Sequence, residues 1–228
     1  MLWSSFCRNI QYPCFMAIGK STLFGTLSGS LGNIIVYTVG GQMRVRTKPG
    51  HYRDQKSPAQ LAQRRKICQI AELYAQLSPQ LLAYWKQLTT GTTLSSYNLF
   101  MRANIKNLDE QGEISDIRRF RICDGVLPLP PSVRSEMTPA GTIRIAWDTS
   151  TAEKQAAPSD KLHIAAYLKL KDKNDRLMIL AETQIMRKMG EYEYVLPESI
   201  GPEAHFFLFF KSSLTNDITP AAYLGSIK

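Results

Sequence analysis

Two short segments of the chain resemble motifs that carry chemistry in other proteins. Gly19-Lys20-Ser21 matches the end of a phosphate-binding loop, but that motif needs a glycine about five residues earlier, where this chain has Cys14. Ser28-Gly-Ser-Leu-Gly32 differs from the Gly-x-Ser-x-Gly motif of serine hydrolases, because Ser28 occupies the position of the first glycine. Neither segment predicts nucleotide binding or hydrolysis.

The histidines and carboxylates of the chain do not form a catalytic or metal-binding pattern. His163 and His205 lie inside predicted strands, where a surface or half-buried side chain is the common case, and His51 lies in a basic loop. Asp172 and Asp175 flank a predicted turn and are interpreted as solvated. We therefore predict no catalytic residue, no metal site and no cofactor, and we do not expect this protein to be an enzyme.

The cysteines are widely spaced and show no Cys-x-x-Cys pair. They are Cys7, Cys14, Cys68 and Cys123. A structural zinc site normally has paired ligands at short spacing, so we interpret these residues as thiols in a reducing compartment, and we predict a cytoplasmic protein. No apolar run reaches the roughly 18 residues that a membrane-spanning helix needs, so no transmembrane segment is predicted.

Positive charge is concentrated in the first half of the chain. Between Met16 and Lys106 there are twelve basic and two acidic residues, a net charge of +10, whereas Asn107–Lys228 has a net charge of −2. A local excess of this kind indicates a class of partner: nucleic acid, an anionic lipid surface or an acidic protein. The alternative is a solvated face that only keeps the protein soluble.

A β-hairpin is predicted at the start of the basic region. Asn33–Val39 is rich in β-branched residues, Gly40-Gly41 is typical of a two-residue turn, and Gln42–Lys48 is the return strand. Strand alternation places Arg44, Arg46 and Lys48 on one face at steps of roughly 6.5–7 Å. Such a row could follow a phosphate backbone, or it could be a charged edge that prevents strand pairing.

The predicted polyanion contacts lie in this hairpin and in the segment after it. They are Arg44, Arg46, Lys48, Arg53, Lys56, Arg64, Arg65 and Lys66. Successive residues of a helix point about 100° apart, so Arg64, Arg65 and Lys66 are not expected to face one partner together. The nearby Tyr37 and Tyr52 could stack on nucleic-acid bases, but we interpret them as sheet or loop packing.

Helices are predicted after the hairpin. Ser57-Pro58-Ala59-Gln60 has the residues of a capping box, and the apolar stripe that follows is interrupted at Ser78-Pro79, which predicts two helices or one kinked helix. A third helix is predicted from about Ser96 to Leu108. Ile117–Ile122 alternates apolar and basic residues and is predicted as a strand.

The C-terminal part is predicted to be all β. A stiff segment, Val126–Ser132, precedes it and marks a boundary. The predicted strands are Thr142–Trp147, Leu162–Leu168, Arg176–Leu180, Glu191–Val195, Ala204–Phe210 and Ala221–Ile227. Short strands between turn-rich loops predict an antiparallel β-sandwich, and Trp147 with later aromatic residues resembles the core of a fibronectin type III or immunoglobulin-like module. The predicted class is therefore α+β.

Several of these segments together resemble an uncharacterised family of small bacterial proteins. The matching segments are Gly32–Tyr37, Gly41–Pro49, Ser57–Gln60 with Gln63-Arg64, Ser96–Asn104, Phe207–Phe210 and Tyr223-Leu224-Gly225. The resemblance extends over nearly the whole chain from Met16. It implies an architecture and no activity, and it favours Met16 as the start of the protein.

Three segments and one function are predicted. Residues 1–15 are interpreted as an upstream extension or a disordered tail, 16–127 as the basic hairpin with helices, and 128–228 as the sandwich. We predict a non-enzymatic binding or assembly protein whose basic N-terminal region contacts a polyanion or an acidic partner. The alternative is a self-associating structural subunit of a larger particle, in which the charge is only a solvated face.

Overall fold

The computed structural model contains helices and antiparallel sheets, which confirms the predicted α+β class. It describes residues 16–19, 28–50, 54–138, 141–150, 156–170, 175–197, 200 and 203–227. The chain divides into two compact units, Met1–Gln55 and Lys56–Lys228. Residues 1–15, predicted as an extension or tail, lie outside the described residues. Among those described, no helix is long and apolar enough to span a membrane.

The first unit contains a four-stranded antiparallel sheet. Its strands are β1 (Met16–Gly19), β2 (Gly29–Leu31), β3 (Ile34–Val39) and β4 (Gln42–Thr47), in the order β1-β4-β3-β2. Gly40 and Gly41 connect β3 to β4 with φ angles of 58° and 75°, a left-handed conformation that glycine adopts without steric cost. The predicted hairpin is confirmed.

Three helices begin the second unit. They are α1 (Pro58–Ala75), α2 (Pro79–Gln87) and α3 (Ser96–Asn104). Before α1, the Ser57 hydroxyl accepts a hydrogen bond from Gln60 N at 3.3 Å and Gln60 Oε1 accepts one from Ser57 N at 3.1 Å, so the predicted capping box is confirmed. The predicted break is also confirmed, because Ser78 caps a separate α2. After α3, a 3-10 turn over Ile105–Asn107 completes the segment predicted as the third helix.

The prediction of a strand at Ile117–Ile122 is wrong. A 3-10 turn takes up its first three residues, and the rest pairs with no strand in the described part of the chain. The Asn104 side chain acts instead of a strand partner, since its Nδ2 donates to Arg121 O at 3.1 Å and its Oδ1 accepts from Arg121 N at 2.8 Å. Phe120 and Ile122 are both buried in this irregular segment, which explains why apolar and basic residues alternate in the sequence.

In the described part of the second unit, seven further strands form two antiparallel sheets. They are β5 (Val133–Met137), β6 (Thr142–Trp147), β7 (Lys161–Lys169), β8 (Arg176–Met186), β9 (Glu191–Val195), β10 (Glu203–Lys211) and β11 (Ala222–Ile227). One sheet has the order β11-β10-β7-β8 and the other β5-β6-β9. Only β5 is missing from the sequence-based prediction, because its alternation is short and its exposed side chains, Arg134 and Glu136, are charged.

The sheet that contains β10 is buried on both faces. Phe207 and Phe209 lie in one core with the three helices, whereas Phe206 and Phe210 lie in a second core with Trp147 of β6. A strand buried on both faces has no polar face, which explains the continuous apolar run in its sequence. The predicted division between residues 127 and 128 falls inside this second unit, where helices and strands share the first core.

Gly125 packs directly against the backbone of Ile218. A Cβ atom at residue 125 would lie 1.9 Å from Ile218 O and 2.6 Å from Ile218 C. Since these are backbone atoms, the two segments would have to separate to admit a methyl group. We expect Gly125→Ala to lower the free energy of unfolding by about 2 kcal/mol or more, measured by urea denaturation.

Gly50→Ala is the control for this substitution. A Cβ at Gly50 would meet nothing within 4 Å, and the residue has no left-handed φ angle. We expect a change in the free energy of unfolding of less than about 1 kcal/mol. If the two variants have the same stability, the close approach at Gly125 does not restrict the fold.

Candidate functional site

The predicted row of cations lies on one face of the β3–β4 hairpin. Arg44 is directly opposite Tyr37 and Arg46 is directly opposite Ile35 in the strand pairing. Lys48 follows the end of β4, and its backbone N still donates to Asn33 O at 2.6 Å, so the pairing extends to this residue. Because side chains alternate across a strand, the three cations share the face that also carries Tyr37.

Tyr37 is part of this basic face. The Arg46 guanidinium carbon lies 5.9 Å from the centre of the Tyr37 ring, which is a cation–π distance. Tyr37 and Arg44 are both half-buried, and Arg44 Nε is shielded from solvent with no hydrogen-bond partner among the described residues. The face thus combines planar guanidinium groups with an aromatic ring. We call Tyr37, Arg44, Arg46 and Lys48 the hairpin face.

The charge of the first unit is almost entirely positive. Residues 1–53 contain no aspartate or glutamate, and Asp54 is the one acidic residue in the unit. Six basic residues give the unit a net charge of +5. The cations of the hairpin face therefore have no neighbouring carboxylate in their own sheet.

Four of the other five predicted contacts belong to the second unit. Arg53, like His51 and Tyr52, lies outside the described residues. Lys56 precedes α1 in the second unit and has a φ angle of 49°. Within α1, Arg64 and Arg65 are exposed, while Lys66 is half-buried. Since Arg64 and its two successors are consecutive in a helix, they point in different directions, as predicted.

A polar cleft of about 740 Å³ lies in the second unit beside α1. On one wall, Tyr167 OH donates a hydrogen bond to Asp175 Oδ2 at 2.6 Å, and Asp175 Oδ1 accepts one from Leu170 N at 3.1 Å. Burial, followed by the hydrogen bond to Asp175, raises the pKa of Tyr167 far above its ordinary value. Tyr167 is therefore a neutral hydrogen-bond donor to Asp175.

His205 also lines this cleft and has aromatic and charged neighbours. Its ring lies 5.9 Å from the Tyr167 ring in a stacked arrangement, and its Nδ1 is 3.4 Å from Tyr223 OH. Its Nε2 is 3.9 Å from Glu203 Oε1, which also lies 3.8 Å from Lys169 Nζ. In the described part of the chain, no group of three or more histidine, cysteine or acidic residues is arranged to hold a metal ion.

His163 lies in a second cleft, of about 440 Å³, at the end of β7 and β10. Its side chain is only 4% exposed, and its ring stacks on Phe209 at 5.2 Å between centres. Burial lowers the pKa of His163 to about 4; Glu182 opposes this shift, whereas Lys211 and Lys161 add to it. The imidazole is therefore neutral at physiological pH. The predicted positions of His163 and His205 inside strands are confirmed.

No protein-family model, no curated protein and no solved structure matches this chain. The resemblance to a bacterial family therefore stays a prediction that depends on the motifs quoted above.

Sequence reasoning interpreted Tyr37 as packing and did not find its position beside Arg44 and Arg46, nor the residues around His163. The position of Tyr37 could have been derived, because a two-residue turn after Val39 pairs Val39 with Gln42 and hence Tyr37 with Arg44. No comparable signal places Lys211 beside His163. Their strands are distant in sequence, and only the folded sheet makes them neighbours.

The described cysteines differ in accessibility. Cys68 is exposed on α1, and Cys123 is buried. Burial, with a smaller contribution from Asp124, raises the pKa of the Cys123 thiol, although Arg121 opposes the shift. In a Cys7→Ser/Cys14→Ser variant, we expect DTNB to react quickly with one thiol and with a second only after unfolding.

Cys68→Ser in the same background is the control. It should abolish the fast reaction and leave the slow one unchanged. Two fast thiols in the folded protein would contradict the burial of Cys123.

His163 makes the stability of the fold depend on pH. The folded pKa of about 4 is below the ordinary value of 6.5, so between these values the unfolded chain binds a proton that the folded chain does not. This contribution to stability is complete above pH 6.5 and is lost as the pH falls towards 4. Relative to His163→Phe, we expect the wild-type free energy of unfolding to fall by about 2–3 kcal/mol between pH 7 and 4.5.

Urea denaturation of both proteins across this pH range measures the difference. Comparison with His163→Phe cancels the contribution of carboxylates that titrate in the same window. If His163→Phe and the wild type lose stability in parallel, His163 is not held neutral by the fold.

Proposed function

We propose that this protein is a non-enzymatic binding protein whose N-terminal unit contacts a polyanion. The observation that carries the proposal is the placement of Arg44, Arg46 and Lys48 on one face of the β3–β4 hairpin. The net charge of +5 in this unit supports it, because a surface with few carboxylates attracts phosphate or sulfate groups over a long range.

Single-stranded nucleic acid is the polyanion that uses every feature of the hairpin face. Guanidinium groups form paired hydrogen bonds with phosphate oxygens, and an aromatic ring stacks on bases. Tyr37 lies opposite Arg44 and within cation–π distance of Arg46, so both kinds of contact are available at one place. A lipid surface or an acidic protein would use only the charges.

For the second unit, we propose the fibronectin type III-like sandwich expected from the sequence. Of its seven described strands in chain order, the first, second and fifth (β5, β6 and β9) form one sheet. The other four (β7, β8, β10 and β11) form the second sheet. Residues of both sheets share one core, where Trp147 Nε1 donates to Arg187 O at 2.6 Å. This division of strands supports a module of that kind, but such folds serve many functions. Membership of the uncharacterised bacterial family is likewise a proposal.

The alternative function is self-association as a structural subunit. The observation that favours it is the position of β2 at one end of the first sheet, where Leu31 is 64% exposed. An edge strand with an exposed apolar side chain can pair with another chain. In that case the hairpin cations would be a solvated face, and a defined oligomer would persist at high salt and without the cations.

The salt dependence of binding tests the hairpin face. We expect Arg44→Gln/Arg46→Gln/Lys48→Gln to weaken binding to labelled mixed-sequence single-stranded DNA and RNA, measured by fluorescence anisotropy. Each lost phosphate contact should reduce the slope of log K against log salt by about 0.7, so three contacts reduce it by about 2. On duplex DNA, each lost phosphate contact would reduce this slope by about 0.9.

Lys86→Gln/Arg102→Gln/Lys106→Gln is the matched control, because it removes the same charge from exposed helical positions of the second unit. It should leave the slope unchanged. Equal slopes for the wild type and the hairpin variant would exclude this face as the contact. Absence of binding at low salt, with a stable oligomer by light scattering, would favour self-association.

A further inference from the structure

The cleft around His163 is lined almost entirely by polar side chains. It lies where β7 and β10 meet the loop of residues 212–216, and its volume of about 440 Å³ is within the range of small-molecule sites. Lys161, His163, Glu182 and Lys211 are the titratable groups that line it. The hairpin face belongs to the other unit, and none of its four residues lines this cleft.

Two lysines face each other across the strands at this cleft. Lys161 of β7 is directly opposite Lys211 of β10, a pairing that places Cβ atoms about 4.5–5.5 Å apart. Neither ammonium group has an ion-pair partner among the residues described. Lys211 Nζ lies 5.7 Å from the centre of the Tyr84 ring, a contact that leaves its charge unneutralised. Like charges in this position destabilise a sheet unless an anion lies near both.

His163 supplies a second, independent observation. Only 4% of the surface of His163 is exposed, yet the residue lines the cleft. Its Nδ1 has no hydrogen-bond partner in the described part of the chain. Buried polar atoms of native proteins normally have a partner. The strand pairing places His163 opposite Phe209 on one side and Glu182 on the other. Among the described residues, Glu182 is the one carboxylate that lines the cleft, against two lysines.

The rim of the cleft is held in a fixed shape by its own hydrogen bonds. The Ser212 hydroxyl accepts hydrogen bonds from Leu214 N at 3.2 Å and Thr215 N at 3.1 Å, and Thr215 Oγ1 donates to Asp217 Oδ2 at 2.8 Å. Ser213 and the Ser159 hydroxyl form a further bond of 2.7 Å. The loop therefore presents hydroxyl and amide groups around the lysine pair without having to rearrange.

We propose that this cleft binds a small ligand with a doubly charged oxyanion, phosphate or sulfate, held between Lys161 and Lys211 beside His163. The lysines neutralise the oxyanion, and the ligand gives His163 Nδ1 the hydrogen-bond partner that it lacks among the described residues. The surrounding hydroxyl groups accommodate the rest of the ligand when the oxyanion belongs to a larger polar molecule, such as a sugar phosphate. A free phosphate or sulfate ion would bind to the same two lysines but would not contact the hydroxyl groups of the rim.

Imidazole nitrogen signals of the full chain, labelled with ¹⁵N-histidine, test this proposal at near-neutral pH. Sulfate and glucose 6-phosphate are added separately at constant ionic strength. We expect a saturable shift of the His163 signal, with a dissociation constant of about 1 mM for sulfate. Tighter binding of glucose 6-phosphate would identify a phosphorylated small molecule as the ligand class, and equal binding would identify a free oxyanion.

Charge variants at the lysine pair complete the test. Lys161→Gln/Lys211→Gln should weaken binding of both probes by about tenfold or more, whereas Lys161→Arg/Lys211→Arg should keep most of it. Arg44→Gln/Arg46→Gln/Lys48→Gln should bind both probes like the wild type, which separates this site from the hairpin face. A His163 shift that never saturates, or that is the same in the double glutamine variant, would overturn the proposal.

Discussion

Burial of β10 on both faces is the constraint on which the second unit depends. Phe207 and Phe209 require a cover on one side of the sheet, and Phe206, Leu208 and Phe210 require one on the other. The helices supply the first cover and the three-stranded sheet supplies the second. Each buried aromatic side chain contributes about 1.5–3 kcal/mol through the hydrophobic effect, so neither layer can be removed without exposing a large part of the core.

The cleft around His163 lies where this central sheet ends. β10 finishes at Lys211, and the chain then returns along the loop that Ile218 anchors against Gly125. Lys161 and His163 stand at the same end of the neighbouring strand. A rigid apolar sheet thus holds cationic and neutral polar groups at a fixed spacing. Fixed spacing is what distinguishes a cleft for a defined small ligand from a mobile charged surface.

The two units carry positive charge in different geometries. The hairpin face is a row along a strand, with Tyr37 beside Arg46, and a row suits a chain of repeating phosphates. The lysine pair at the end of β7 and β10 is a single point of charge inside a cleft and suits one oxyanion. We therefore propose different anionic partners for the two surfaces, because the charged array differs in length and in enclosure.

Local sequence patterns alone determined the hairpin, its cationic face, the Ser57 capping box, the break at Ser78 and six of the seven later strands, because each depends on residues close together in the chain. They could not show that Ile117–Ile122 is irregular, since its backbone groups are satisfied by the distant Asn104 side chain. Only the tertiary structure placed Lys161 opposite Lys211 with His163 beside them, because the pairing of distant strands depends on the whole core.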